Sequence, residues 1–155
     1  MIDIVVDGVR IGVLETRTRV GLTVIYEGFI ARGVDLASRK ALAIRLIDAE
    51  TGRRIDMGFT HRGDTFSLSA TAQRNLLGLQ VNAALLIPVA TGTSDDLGEI
   101  TLNTVEEVQD FVLAALATVN VHRIGGRTVK RAVVAAADDA AVLAAVDAWL
   151  YAEPG

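Results

Sequence analysis

Any chemistry in this chain has to come from few side chains. Of its 155 residues only two are histidine, His61 and His122, and none is cysteine. Neither histidine has a cysteine or a second histidine near it to complete a zinc-type set, and both read as structural. Asp95, Asp96 and Glu99 could offer oxygens to a calcium ion. A calcium loop needs more oxygen ligands and a glycine at a fixed turn position, so the three read as solvated loop acids. Ser67 and Ser69 have no base beside them. Gly12, Gly21 and Gly28 form neither of the common glycine-rich phosphate loops. Arg62-Gly63-Asp64 spells an adhesion tripeptide, yet a hairpin turn accounts for all three residues. Trp149 reads as a core or interface anchor. No catalytic, cofactor-binding or metal-binding residue is assigned, no cofactor is expected, and the chain reads as a non-enzyme.

The composition narrows the partners. The net charge is −4, which leaves no basic footprint for DNA or RNA. The first residues carry Asp3 and Asp7 and no basic n-region, which argues against a signal peptide. No apolar run approaches the ~20 residues of a membrane span. The expectation is a chain made and folded in a cytoplasm, with no nucleic-acid partner and no membrane span. Hydrophobic residues make up 51% of the chain and the mean hydropathy is +0.40. Much of this is alanine, which packs helices closely. The excess reads as surface shared with a partner.

The elements follow from periodicity. Ile2, Ile4 and Val6 alternate, Asp7-Gly8 follows, then Val9, Ile11 and Val13, which is a hairpin pattern. A third strand is expected through Val20, Leu22, Val24 and Tyr26. Asp35 caps a helix from Leu36 whose Leu42, Ile44, Leu46 and Ile47 lie on more than one face, so it is packed on several sides. Phe59 to His61 and Thr65 to Ser67 flank Arg62-Gly63-Asp64 as a second hairpin. Ser69 opens a helix from Ala70, with Leu76, Leu79, Ala83 and Leu86 on one stripe, and Pro88 ends it. Thr91 to Asp96 reads as a polar loop, and Ile100 to Leu102 as a short strand.

Thr104 with Glu107 makes a capping box and opens the longest helix. Its apolar stripe runs through Val105, Val108, Val112, Ala115, Val119, His122, Gly126, Val129, Val133 and Ala136, in steps of three and four. That is the period of a seam on which another helix packs. Gly125-Gly126 is a candidate break within it. Asp138 caps a last helix carrying Leu143, Val146 and Trp149. The seam residues Val105, Val108, Val112, Val119, Val129 and Val133 form the expected interface, covered by a second copy or by the chain's own helices from Leu36 and Ala70.

The fold class is therefore α+β: an N-terminal antiparallel β unit followed by a mainly helical domain with a small β-hairpin. The domain reading is a β-rich attachment module over residues 1–30 and a helical domain over 34–155, with its hairpin at 59–68.

The run Arg53-Arg54-Ile55-Asp56-Met57-Gly58-Phe59-Thr60, then Gly63, Phe66, Asn75 and Gly78, resembles a domain of unknown function found in phage and prophage tail proteins. His122, Thr128-Val129-Lys130 and Val134-Ala135-Ala136-Ala137-Asp138 are similar to its C-terminal part. The resemblance covers about residues 36 to 150. A Trp-containing strand between the family's helical parts has no counterpart in Pro88 to Leu102. The resemblance implies a structural tail component at a fibre, baseplate or tail tip. Its partners would be other tail proteins and copies of itself, three-fold as fibres commonly are. It would reside in the virion tail, and in the host cytoplasm during assembly. A tail-fibre assembly chaperone absent from the mature particle is the alternative within that class. A small intracellular enzyme or ligand-binding domain is the alternative outside it. The resemblance carries no catalytic residues.

Overall fold

A computed structural model of the chain describes residues 2–6, 9–14, 33–91 and 99–151, and side-chain surroundings for 33–90 and 99–149. The expected third strand over Val20 to Tyr26 and the acids Asp95 and Asp96 lie outside the described residues. The structure is α+β, mainly helical with small antiparallel hairpins. Its strands are β1 (Ile2–Val6), β2 (Val9–Leu14), β3 (Phe59–His61), β4 (Asp64–Phe66), β5 (Val89–Thr91) and β6 (Ile100–Leu102). Its helices are α1 (Leu36–Asp56), α2 (Ala70–Leu86), α3 (Val105–Ala135) and α4 (Asp139–Tyr151). Each hairpin is a separate two-stranded sheet among the described residues. In the first, Val6 pairs with Val9, and the register shifts between Ile4 and Val5.

Compactness divides the chain differently from a boundary near residue 30. One unit comprises Met1–Thr51 with Ile124–Gly155, and the other comprises Gly52–Arg123.

In the first unit, the Asp35 carboxylate accepts the Ser38 N–H at 2.7 Å and caps α1. Asp138 caps α4 in the same way, accepting from Ala141 N at 2.9 Å. Arg39 clamps the start of α4 to that of α1. Its Nε and Nη2 donate to the two Asp139 carboxylate oxygens, both at 2.7 Å, and its Nη1 donates to the Val34 carbonyl. Beneath this clamp, Ala43, Ile47, Val133, Val142, Val146 and Trp149 form one core.

Gly125-Gly126 does not break α3, which runs unbroken for 31 residues. Both glycines instead admit neighbours. A Cβ at Gly125 would lie 2.7 Å from Trp149 Cη2, and one at Gly126 would overlap Thr51 Oγ1. Two mid-helix glycines cost about 2 kcal/mol of helix propensity relative to alanine, and close packing at both positions offsets it.

The second unit has its own core, in which Ile55, Leu68, Leu76 and Ala83 pack with the aromatic hairpin residues and with Val108, Val112, Ala115 and Val119 of α3. Phe111 is its centre: its ring lies edge-on to Phe59, Phe66 and His61, with centroids 5.0–5.3 Å apart. The β3–β4 turn is tighter than Arg62-Gly63-Asp64. His61 pairs with Asp64, so Asp64 is already strand and the turn is Arg62-Gly63 alone. Both turn residues have positive φ, 52° and 92°, as a two-residue hairpin turn matched to strand twist requires. β5 was not expected. Val89–Thr91 pairs with Ile100–Leu102, turning the expected end-of-helix loop into half of a third hairpin.

Candidate interaction surface

The seam on α3 is closed inside the chain. Val108, Val112, Val119 and Val133 are each no more than 3% exposed, and Val105 and Val129 are half-buried. Val108, Val112 and Val119 belong to one core with Leu76 and Ala83 of α2. Val133 belongs to the other, with Ala43 and Ile47 of α1. The helices from Leu36 and Ala70 therefore supply the cover. Val108, Val112, Val119 and Val133 of the expected self-association interface are thus corrected to core, because the chain's own helices cover them, whereas Val105 and Val129 keep part of their surface open.

The open apolar surface is elsewhere, on α2. Ser69 starts this helix: its Oγ accepts from Ala72 N at 3.2 Å. Gln73 ties the chain back by donating from Nε2 to the Leu68 carbonyl at 2.7 Å. That contact is not a capping box, in which the side chain accepts from the N-cap amide; the Ser69 amide donates to Ser67 Oγ instead. One stripe of α2 is buried, through Ala72, Leu76 and Ala83. At 100° per residue, Gly78, Val81 and Leu85 lie opposite that stripe. Val81 is 83% exposed and Leu85 84%, with Leu77 at 55% and Leu86 at 53% beside them. Leu86, expected on the buried stripe, is thus largely outside. No charged residue occurs between Arg74 and Asp95, so the outward ridge is apolar and uncharged, with the polar Asn75, Gln80 and Asn82 on the flanks of the helix. A helix of that kind belongs in an interior or an interface. On α3, Leu113, Leu116 and Val121 also face outward.

Among the described residues, the polar side chains singled out in the sequence lie apart in the fold. His61 Nε2 is buried without a hydrogen-bond partner. His122 is buried on α3 and engaged. Ser67 Oγ accepts from Ser69 N at 3.1 Å, which is turn geometry. Arg62 donates from Nη2 to Glu107 Oε1 at 3.0 Å, and Glu107 Oε2 accepts from Asn103 N at 2.6 Å. The Asn103 amide first, and then Arg62, hold the Glu107 carboxyl below its ordinary value. The tripeptide arginine is therefore bound to the first turn of α3. Among the described residues no three or more His, Asp or Glu side chains gather to hold a metal ion. No described helix is long and apolar enough to cross a membrane.

Buried Glu50 and Arg54 were missed in the sequence. Both are engaged. Their signal was there: with Ala43 and Ile47 they continue a four–three–four stripe along α1. Arg54 therefore lies on the packed face, whereas its neighbour Arg53 reaches Met57 Sδ at 3.2 Å near the surface.

A family model described as "Domain of unknown function (DUF4376)" matches residues 38–148. The chain belongs to this family. The DUF4376 match takes in all the helices but the first two residues of α1 and the last three of α4, and it excludes β1 and β2. No curated protein and no solved structure matches the chain.

Proposed function

We propose that the chain is a non-catalytic binding component of a phage or phage-like tail, at a fibre, baseplate or tail tip. The tail setting rests on the resemblance carried by Arg53 to Gly78. The binding mode rests on one observation: the outward face of α2 presents Leu77, Val81 and Leu85 without a charge among them. Apolar side chains in a row on an exposed helix are what a protein partner covers. Residues 1–30 attach the chain to its neighbour, and β1–β2, a two-stranded sheet, offers strand edges for that purpose.

Purified particles test this reading. A structural component is present in them at fixed stoichiometry. Absence from finished particles that nevertheless need the gene product to form selects the assembly chaperone. Absence with particles unaffected overturns a tail role. Deleting residues 1–30 leaves the remainder helical by circular dichroism and removes it from particles; undiminished incorporation places attachment elsewhere.

A further inference from the structure

We infer that the outward face of α2 is a two-fold interface between two copies of this chain, with the two α2 helices antiparallel and crossing at Val81. The inference deepens the binding role proposed above by naming the partner of that face.

Three features of the face select a second copy. First, the ridge Leu77, Val81, Leu85 is spaced in steps of four and is symmetric about Val81. A two-fold through Val81 lays Leu77 of each copy beside Leu85 of the other. The same patch then serves both subunits, as a closed pair requires. Second, Gly78 lies next to this ridge, and a Cβ there would meet nothing within 4 Å. It leaves a groove on the open side into which a partner's side chain fits. Third, the charges are complementary only in the antiparallel sense. Arg74 is the only charged residue of α2, and among the described residues its Nη2 donates to an exposed hydroxyl, Thr71 Oγ1, at 3.3 Å. The last turn of α2 has no basic residue, and its C-cap, Ile87, is extended. Its final carbonyls carry the negative end of the helix dipole with no cation near in sequence. In the antiparallel pair, Arg74 of each copy comes level with residue 88 of the other, just beyond that end. A parallel pair would instead bring the two Arg74 side chains together.

The test uses the full chain in solution. Light scattering at high micromolar concentration gives the mass of a dimer. Val81→Glu weakens the dimer on the order of a hundredfold, because the two-fold brings its two introduced carboxylates together at the centre of the contact, and Leu85→Glu, at the edge and within a turn of the other copy's Arg74, weakens it less. Both positions are more than four-fifths exposed, so circular dichroism of the two variants matches the wild type. Leu113→Glu, on α3, leaves the dimer intact.

The chain has no cysteine, so orientation can be read with introduced ones. Val81→Cys oxidises to a disulfide-linked dimer. A mixture of Leu77→Cys and Leu85→Cys chains is joined by a short bis-maleimide, whereas Leu77→Cys alone is not. A strictly monomeric wild type, a trimer, a dimer indifferent to Val81→Glu, or Leu77→Cys joined to itself overturns the inference. Because the isolated chain is measured, these outcomes are independent of whether it occurs in a tail particle.

Discussion

Gly126 on α3 faces Thr51 on α1 so closely that a single added carbon would overlap the threonine hydroxyl. That hydroxyl is not free to swing away at no cost, since it donates to the Ile47 carbonyl at 2.8 Å. The glycine is thus a packing residue in the middle of a helix. Two effects oppose each other on replacing it. Alanine gains about 1 kcal/mol of helix propensity, and overpacking a tight contact costs about 1–3 kcal/mol.

Gly126→Ala therefore lowers stability by about 1 kcal/mol net. Gly52→Ala, where a Cβ would meet nothing within 4 Å, raises it by up to about 1 kcal/mol. Adding Thr51→Ala to Gly126→Ala restores much of the loss, because the two residues share one contact. Urea denaturation of the four chains reads all of this. A Gly126→Ala protein as stable as the wild type would show that the two helices are not so closely packed at this point.

The hairpin turn gives a second balance. Arg62 adopts φ 52°, a left-handed conformation costing an ordinary side chain about 1–2 kcal/mol. Its ion pair with Glu107 is 48% exposed on the arginine side, where such pairs contribute about 0–1 kcal/mol. The strain outweighs the pair. Arg62→Asn, which suits the turn, keeps or raises the melting temperature. Gly63→Ala, at φ 92°, lowers it. A clear loss of stability in Arg62→Asn would mean that the tether to Glu107 is worth more than a surface pair.

Two caps contribute to the acid limb. Asp35 is held below its ordinary 3.8, first by the Ser38 amide and then by the Ser38 hydroxyl. Glu107 is held below its ordinary 4.5, first by the Asn103 amide and then by Arg62. Both folded values are depressed, so the native state binds fewer protons than the unfolded chain in this window. The stabilisation is complete above about pH 4.5 and is lost as pH falls through the folded values. Asp35→Asn with Glu107→Gln flattens the stability-versus-pH curve below pH 4.5 relative to wild type, in urea midpoints measured from pH 6 to pH 3. An unchanged acid limb in the double variant would remove these two groups from it.

The caps, the start of the longest helix and the valine stripe were legible because each is written in local spacing: Asp35 before Leu36, Thr104 before Glu107, apolar steps of three and four; that the helix runs on through Gly125-Gly126 was not. What covers the stripe was not legible. A three–four seam looks the same whether its partner helix belongs to the same chain or another, and only the fold shows α1 and α2 occupying it. The outward ridge on α2 was hidden for a related reason. The stripe placed Leu76 and Ala83 inside and took Leu86 with them, but periodicity in a helix apolar on two faces does not say that the second face stays uncovered. β5 escaped because three residues after a proline carry no strand period. The tight approach to Gly126 escaped because it depends on residues 75 positions apart.

Phe111 provides the sharpest contrast between inside and outside on α3. It falls one residue short of Val112 and was absent from the expected stripe, yet it is buried at the centre of three ring contacts. Leucine in its place would retain most of the apolar burial and lose the edge-on contacts, which contribute about 0.5–1.5 kcal/mol per aromatic pair. With the cavity left by the smaller side chain, Phe111→Leu costs about 2–4 kcal/mol. Leu113, two residues on, is 60% exposed, and Leu113→Ala stays within about 0.5 kcal/mol of the wild type. Urea denaturation gives both values. Amide hydrogen exchange shows where the damage falls: in Phe111→Leu, protection drops at Phe59 and Phe66, because the β3–β4 hairpin has lost the ring it packs on. Equal costs at 111 and 113 would place the α3 core face on the wrong side of the helix.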